Sequence, residues 1–355
     1  MRTGGAEKIT VDLIENMDRT GMDFYFLVFG NEVGNYEERV QKMEGKVIHI
    51  ARPLFPYLRY KLDLKNVWEL YGPFDIVHTH TLLNNGINCR IFYGFGCKRL
   101  ISHSHSTNSN RKNNFITQIY EGLMKHMIKR YATDYLACGK EAGEYLYGKE
   151  FFKRKGTVIR NGVKFSTVSF RPEARKLLRD QMGLQNTCVI GHVARLDKIK
   201  NHEFVLEILK ELNIFFDDFL YMIVGEGPYR KAIENKIKEL ELEGQVLMLG
   251  NRDDVHIIQN MFDLVIYPSL YEGIPVALIE AQVNGVPCIV SENVSKEVRI
   301  REKTKFVSLE KSVSKWVVYV KEYLGVSREE NTMLEEGKQY DIKISAEKLR
   351  KIYIN

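Results

Sequence analysis

The sequence reads as an α/β chain of two doubly wound parallel-sheet domains facing a cleft, and three observations predict it. At 355 residues the chain is long for a single core, so two domains of about 150–180 residues are expected. Strand-like apolar runs alternate with stretches of helical spacing from end to end, the pattern of parallel sheets joined by crossover helices. The alternation falls into two series, separated by the short polar stretch "NGVKFSTVSF" after Ile159, which has no 3.6-residue period and reads as a linker.

In the first series the expected strands are Phe24–Phe29, Lys46–Ile50, Ile76–Thr79, Arg99–Ser102, Tyr135–Cys138 and Thr157–Ile159. In the second they are Val189–Val193, Tyr221–Val224, Val246–Leu249, Leu264–Tyr267 and Pro287–Val290, with helices near His202–Leu212, Tyr229–Leu240, Asp254–Asn260 and Pro275–Asn284. The expected division is residues 1–163, residues 164–335 and a closing helix over 336–355 that crosses back to the first domain. In such sheets ligands bind outside the C-terminal ends of the strands, so the chemistry is sought there.

Composition narrows the class. Hydrophobic residues make up 44% and charged residues 28% of the chain, as in a soluble globular protein. No run is long and apolar enough to span a membrane and no signal-peptide pattern opens the chain, so a cytoplasmic location is expected. The five cysteines are scattered without metal-ligand spacing and are expected to be reduced core residues. Charge is uneven. Residues 1–165 carry 25 Lys and Arg against 17 Asp and Glu, whereas the remainder carries 27 against 29. An anionic partner is therefore expected for the first half only. Nucleic acid is not expected, because no recognition motif or aromatic platform accompanies the charge.

The stretch "YEGIPVALIEAQVNGVP" places Glu272 in a loop and Glu280 inside the helix that Pro275 opens. By spacing alone, this pair is no more than two glutamates near a helix start. In "GHVARLDKIKNHE", Arg195 follows a buried strand and Lys200 comes five residues later. Two such cations could stabilise a departing diphosphate without a metal, although a surface pair would look the same. No Asp-x-Asp stretch is present. "YMIVGEGPYRKAI" and "VLMLGNRDDV" each give a strand followed by a glycine turn, and the second turn brings Arg252. His80 stands in "FDIVHTH", and His103 and His105 stand in "LISHSHST", all at strand ends. Metal ligation by these three is the minority reading, since no carboxylate or cysteine accompanies them at ligand spacing.

Taken together, "FDLVIYPSLYEGIPVALIEAQVNGVPCIVS" closely resembles the donor-site block of retaining glycosyltransferases of family 4, which have the GT-B fold of two Rossmann-like domains, and the other stretches follow in the family's order. About 350 residues are covered. The resemblance implies that Glu272 contacts the transferred sugar, the amides of Gly273 and Ile274 hold its hydroxyls, and Glu280 binds the ribose. It further implies that Arg195 and Lys200 hold the diphosphate, that Arg252 lies at the base, and that His103 touches the sugar, with His105 the runner-up and His80 facing the acceptor. No metal and no cofactor are implied; the donor substrate is a nucleotide sugar, with a UDP-sugar expected.

The opening "MRTGGAEKIT" resembles the family's first strand-to-helix loop, with Gly4 and Gly5 facing the donor diphosphate. The chain begins where the strand before that loop would end, so the first strand of the N-terminal sheet is expected to be missing and the native product to start about ten residues earlier. Within "RKNNFITQIYEGLMKHMIKRYATDYL", Ile116, Ile119, Tyr120, Leu123 and Met127 form one helical face with Lys125 and Lys129 pointing away, and Lys153, Arg154 and Lys155 follow. An ordinary packed amphipathic helix and a peripheral contact with anionic lipid both fit this pattern. The expected function is metal-independent, retaining transfer of a hexose-type sugar to a saccharide on a polyprenyl carrier, in bacterial exopolysaccharide or capsule synthesis on the inner face of the membrane. The alternatives are a non-catalytic member of an assembly complex with the same fold, and a nucleotide-sugar epimerase.

Overall fold

The computed structural model describes residues 5–30, 34, 36–52, 57–107, 114–328 and 331–355. It divides into two units, one of residues 1–162 with 342–355 and one of residues 163–341. Gly4 lies outside the described residues, and Gly5 is the first residue of the helix Gly5–Glu15.

Among the described residues the first unit holds six parallel strands in two sheets. β1 (Tyr25–Phe29) pairs with β2 (Lys46–Ile50), and β3 (Ile76–Thr79), β4 (Arg99–Ser104), β5 (Asp134–Ala137) and β6 (Gly156–Val158) pair in sequence order. Among the described residues no strand pairs with both sheets. The closing helix Ile342–Ile354 belongs to this unit, where Arg350 pairs with Asp18 at 2.9 Å.

The second unit is one six-stranded parallel sheet: β7 (Cys188–Val193), β8 (Phe219–Val224), β9 (Val246–Met248), β10 (Leu264–Tyr267), β11 (Cys288–Ser291) and β12 (Thr304–Val307), in the order β12-β11-β10-β7-β8-β9. Both faces are covered, as parallel sheets require. Val189, Met222, Val265 and Cys288 pack on one side with Leu278 and Ile279. Ile190, Tyr221, Ile266 and Ile289 pack on the other with Val205, Leu209 and Trp316. The helix His202–Leu212 buries Val205, Leu206, Ile208, Leu209 and Leu212, a stripe at helical spacing that fixes its rotation on the sheet.

The boundary between the units falls between residues 162 and 163, inside the stretch read as a linker, most of which packs on the second unit: Phe165–Val168 forms a short helix, and Val163 and Val168 are buried in that unit's core. β12 had no counterpart among the expected strands. It is a four-residue edge strand with Lys305 in its middle and a mixed burial pattern, so it lacks the continuous apolar run that marks its neighbours.

Candidate functional site

In the second unit the chain runs from β7 outward through β8 and β9, then returns to place β10 on the other side of β7. The direction of winding reverses between β7 and β10, the position at which doubly wound sheets bind their ligands. Three contacts tie together the loops that leave these two strands. Lys200 Nζ forms an ion pair with Glu272 Oε1, Asn201 Nδ2 donates to the Pro268 carbonyl at 3.1 Å, and the Leu270 amide donates to the Ile199 carbonyl at 2.8 Å. Asn201 takes the left-handed conformation (φ 57°), which Asn tolerates better than most residues and which turns the chain into the helix behind it.

The ion pair is mostly shielded from water, with 13% of the Lys200 side chain and 21% of the Glu272 side chain exposed. Lys200 also donates to the Tyr267 hydroxyl at 3.0 Å, and Ser269 Oγ donates to Glu272 Oε2 at 3.1 Å. The Glu272 backbone is held as well, its amide on the Asn293 carbonyl at 3.3 Å and its carbonyl accepting from Ser295 at 3.2 Å. Beneath lie two buried imidazoles, His192 and His202, with ring centroids 4.2 Å apart. His192 Nδ1 bonds to the Tyr221 hydroxyl at 2.9 Å, whereas His192 Nε2 and both nitrogens of His202 have no partner among the described residues. Burial, reinforced by the Lys200 charge, lowers both imidazoles, His202 to about 4. Burial also raises the Tyr267 hydroxyl, with the Glu272 carboxylate adding to it. These rings stay neutral at physiological pH and leave the charge to Lys200 and Glu272.

Arg195 is placed differently. Its side chain is 70% exposed, with Nε 4.0 Å from Asp197 Oδ2, but its backbone is clamped. The Ala194 amide donates to Val224, Leu196 to Glu226 and Tyr229 to Leu196, all at 3.0 Å. The Gly-Glu-Gly turn after β8 makes this possible: a Cβ on Gly225 (φ +143°) would stand 1.9 Å from the Ala194 carbonyl oxygen, and one on Gly227 would stand 2.2 Å from that of Leu196. Only glycine lets the two backbones approach so closely. Gly273 and Ile274 follow Glu272, and their amides have no hydrogen-bond partner among the described residues. Glu280 is half-buried inside the helix Val276–Val283. Arg252, past the end of β9, is engaged in a two-pronged pair with Asp254 at 2.8 and 2.6 Å. That pair raises the guanidinium and lowers the carboxyl, both near the surface.

The three histidines singled out in the first half lie together with a fourth, His78. Register pairs His78 with Ile101 and Thr79 with Ser102, so His78 and His80 on one strand and His103 and His105 on the next share one face. His78 Nε2 lies 3.2 Å from His103 Nδ1, and His80 Nδ1 lies 2.8 Å from His105 Nε2. His78 Nδ1 bonds to the Tyr353 hydroxyl at 2.7 Å, and Thr10 Oγ1 reaches His80 Nδ1 at 3.5 Å. His103 Nε2 and His105 Nδ1 are buried with no hydrogen-bond partner among the described residues, although Asn161 interacts with His105 and favours its charged form. Burial lowers all four imidazoles, with neighbouring rings adding to the effect on His78, His80 and His103; His78 falls to about 3 and His105 to about 4.

The helix Phe115–Tyr131 is rotated from the expected orientation. It buries Met124, Met127 and Ile128, while Phe115 (76%), Ile116 (78%), Ile119 (56%) and Leu123 (53%) are exposed. Lys125, expected to point away, folds back against Glu121 and over the Tyr145 ring.

Sequence reasoning missed His78, His192, His202, Tyr267 and Ser269. The signal for His78 was present in "VHTH", where alternate residues of a strand share a face. His192 and His202 are ten residues apart and meet only because the helix folds back over β7.

The family model described as Glycosyl transferases group 1 matches residues 175–340, and that described as Glycosyltransferase Family 4 matches residues 3–166. EpsF of Bacillus subtilis is 30% identical over 305 residues, covering 84% of this chain and 78% of that protein. An Escherichia coli UDP-Gal:alpha-D-GlcNAc-diphosphoundecaprenol alpha-1,3-galactosyltransferase is 32% identical over 245 residues, 64% of this chain and 62% of that protein. Among solved structures, Anabaena Alr3699/HepE in complex with UDP is similar at a TM-score of 0.78 over 99% of this chain and 96% of that chain, at 18% identity, a likeness of fold.

Proposed function

We propose that this chain, which belongs to the group 1 and family 4 glycosyltransferases and has their GT-B fold, transfers a sugar with retention from a UDP-sugar to a saccharide on a polyprenyl diphosphate, in the synthesis of a bacterial cell-surface polysaccharide. The observation that carries the reading is the meeting of the loops that leave β7 and β10, where Lys200 and Glu272 pair from opposite loops and Arg195 stands in the same loop as Lys200. A diphosphate carries more negative charge than the single carboxylate that Lys200 now faces, so it competes for the ammonium. Arg195, free in solvent apart from a long contact to Asp197, supplies a second cation. Side-chain charge then does what a metal does elsewhere.

In this reading Glu272, fixed through Ser269 and its own backbone, contacts the sugar, the amides of Gly273 and Ile274 receive its hydroxyls, Glu280 takes the ribose and Arg252 lies at the base. The bond from the anomeric carbon to the diphosphate oxygen breaks, and the acceptor oxygen bonds to that carbon from the same face. The acceptor proton passes to the leaving diphosphate. The donor and carrier are supported by the name of the Escherichia coli relative, which specifies UDP-Gal and a diphosphoundecaprenol acceptor. The exposed apolar stripe Phe115, Ile116, Ile119 and Leu123, in a half of the chain with excess positive charge, supports peripheral attachment to anionic lipid.

The test is transfer from a panel of nucleotide sugars to a synthetic polyprenyl-diphosphate sugar, with the anomeric configuration of the product read by NMR. Retention, no requirement for added Mg2+, and a loss of about 10²-fold or more in Lys200→Ala are expected. An inverted product or a fully active Lys200→Ala refutes the assignment.

A further inference from the structure

We infer that Tyr353, on the closing helix, and His78 are positioning residues for the transfer: together they fix His103 as the tautomer that presents an N–H at Nε2, a role that rests on the reading of this chain given above. The three side chains form one line of contacts. The Tyr353 hydroxyl lies 2.7 Å from His78 Nδ1, and His78 Nε2 lies 3.2 Å from His103 Nδ1. At the far end His103 Nε2 is buried with no hydrogen-bond partner among the described residues. His103 stands next to last in β4, and the ligands of parallel sheets gather at the C-terminal ends of the strands. The framework is held at each link. β3 and β4 are paired in register, Asn85 Nδ2 donates to the His103 carbonyl at 3.3 Å, and Arg350 pairs with Asp18 one turn before Tyr353.

The direction of each hydrogen bond follows from the groups that make it. Burial holds both imidazoles neutral, so each carries one N–H and one lone pair. Burial also raises the Tyr353 hydroxyl, which keeps its proton. At the first contact the phenol is the stronger acid and the neutral imidazole nitrogen the stronger base, so the hydroxyl donates to His78 Nδ1. The reverse direction would leave the phenolic proton with no acceptor among the described residues, where this hydroxyl makes no second hydrogen bond. The single proton of His78 therefore sits on Nε2 and is donated to His103 Nδ1. That leaves the single proton of His103 on Nε2. A buried N–H without an acceptor costs free energy, which a sugar hydroxyl oxygen would recover on binding. An N–H donor cannot also take up a proton at the same atom, so His103 orients the sugar and is not the general base. This agrees with passage of the acceptor proton to the leaving diphosphate.

Two-bond 1H–15N correlation spectra of the full chain carrying 15N-labelled histidine read the tautomer of each ring. In the parent, His103 should be protonated on Nε2 and bare on Nδ1, its signals identified by their loss in His103→Gln. Tyr353→Phe keeps the aromatic ring and removes the hydroxyl. It should turn His103 into a mixture of tautomers and lower kcat for transfer about tenfold, with the donor KM changed by less than about twofold and Tm nearly unchanged. His103→Gln, whose amide N–H falls near the place of Nε2, should keep about tenfold more activity than His103→Asn, whose amide falls near that of Nδ1. A parent ring protonated on Nδ1 overturns the assignment whether or not any variant folds. Parent-like kcat in Tyr353→Phe, a tautomer unchanged by that substitution, or equal losses in His103→Gln and His103→Asn overturn it as well. A fully active Lys200→Ala refutes the diphosphate assignment and leaves these spectra as they are, so the two fail separately.

Discussion

Replacing Gly225 with alanine should disable the enzyme through Arg195, whose side chain is not among the atoms the new methyl group would meet. The added Cβ would lie 1.9 Å from the Ala194 carbonyl oxygen, and ordinary contact begins near 3.4 Å, so the loop must retreat by roughly 1.5 Å. The obstacle is backbone, which has no rotamer to escape into, and Ala194 is the residue before Arg195. A displacement of about 1 Å at a positioned group costs on the order of 10²-fold in rate. The strained φ of +143° adds about 1–3 kcal/mol of instability. Arg195→Ala should lose a similar factor in kcat/KM at unchanged Tm, because its side chain is exposed. The double variant should fall little below Arg195→Ala alone, since both changes remove one interaction. Gly250→Ala is the control: its Cβ would meet only the flexible end of Glu226, at 3.1 Å, so near-normal transfer with a Tm drop is expected. Wild-type kcat/KM in Gly225→Ala or Arg195→Ala, or fully multiplicative losses in the double variant, would refute the reasoning.

Two further outcomes are expected. Changing Ile116, Ile119 and Leu123 to serine should leave Tm nearly unchanged, because all three are more than half exposed. It should cut flotation with anionic liposomes about 10²-fold, at roughly 1 kcal/mol for each half-exposed side chain removed from lipid; equal flotation of the variant and the parent would remove the stripe from the membrane contact. His202 takes up a proton near pH 6.5 when unfolded but only near pH 4 in the fold. Between these values the unfolded chain holds the extra proton, so this contribution to stability is full above about pH 6.5 and is lost as pH falls toward 4. Tm measured from pH 7 to 4 should therefore fall less steeply in His202→Asn than in the parent, and parallel slopes would count against the buried neutral ring.

The strands that could be read in the sequence were short apolar runs bounded by turn residues, whether fully buried like β10 or only partly buried like β2 and β3. β2, β3 and β10 lie at Lys46–Ile50, Ile76–Thr79 and Leu264–Tyr267, as expected, and the helix His202–Leu212 matches to the residue because its apolar stripe is complete. Where one side of an element meets solvent, periodicity misleads. The helix Phe115–Tyr131 has enough apolar residues for two faces, and its sequence alone does not say which one the domain takes. β12 is invisible for the opposite reason, having too few apolar residues to declare itself.

The donor-side residues were legible because their chemistry is carried by short loops next to strong strands, so that locating β7 and β10 also locates Arg195, Lys200 and Glu272. What joins them was not legible. Lys200 and Glu272 are 72 residues apart in sequence, and their pairing depends on β10 returning to the far side of β7, a fact of sheet order rather than of either loop. The histidines depend on register in the same way. "VHTH" and "LISHSHST" each fix one face of one strand, but a shift of one residue between β3 and β4 would send two of the four rings to the opposite side of the sheet. The observed register, with His78 opposite Ile101, turns two short histidine repeats into a single cluster. Chemistry built within one loop can thus be read from sequence, whereas chemistry built across a ladder waits for the pairing to be known.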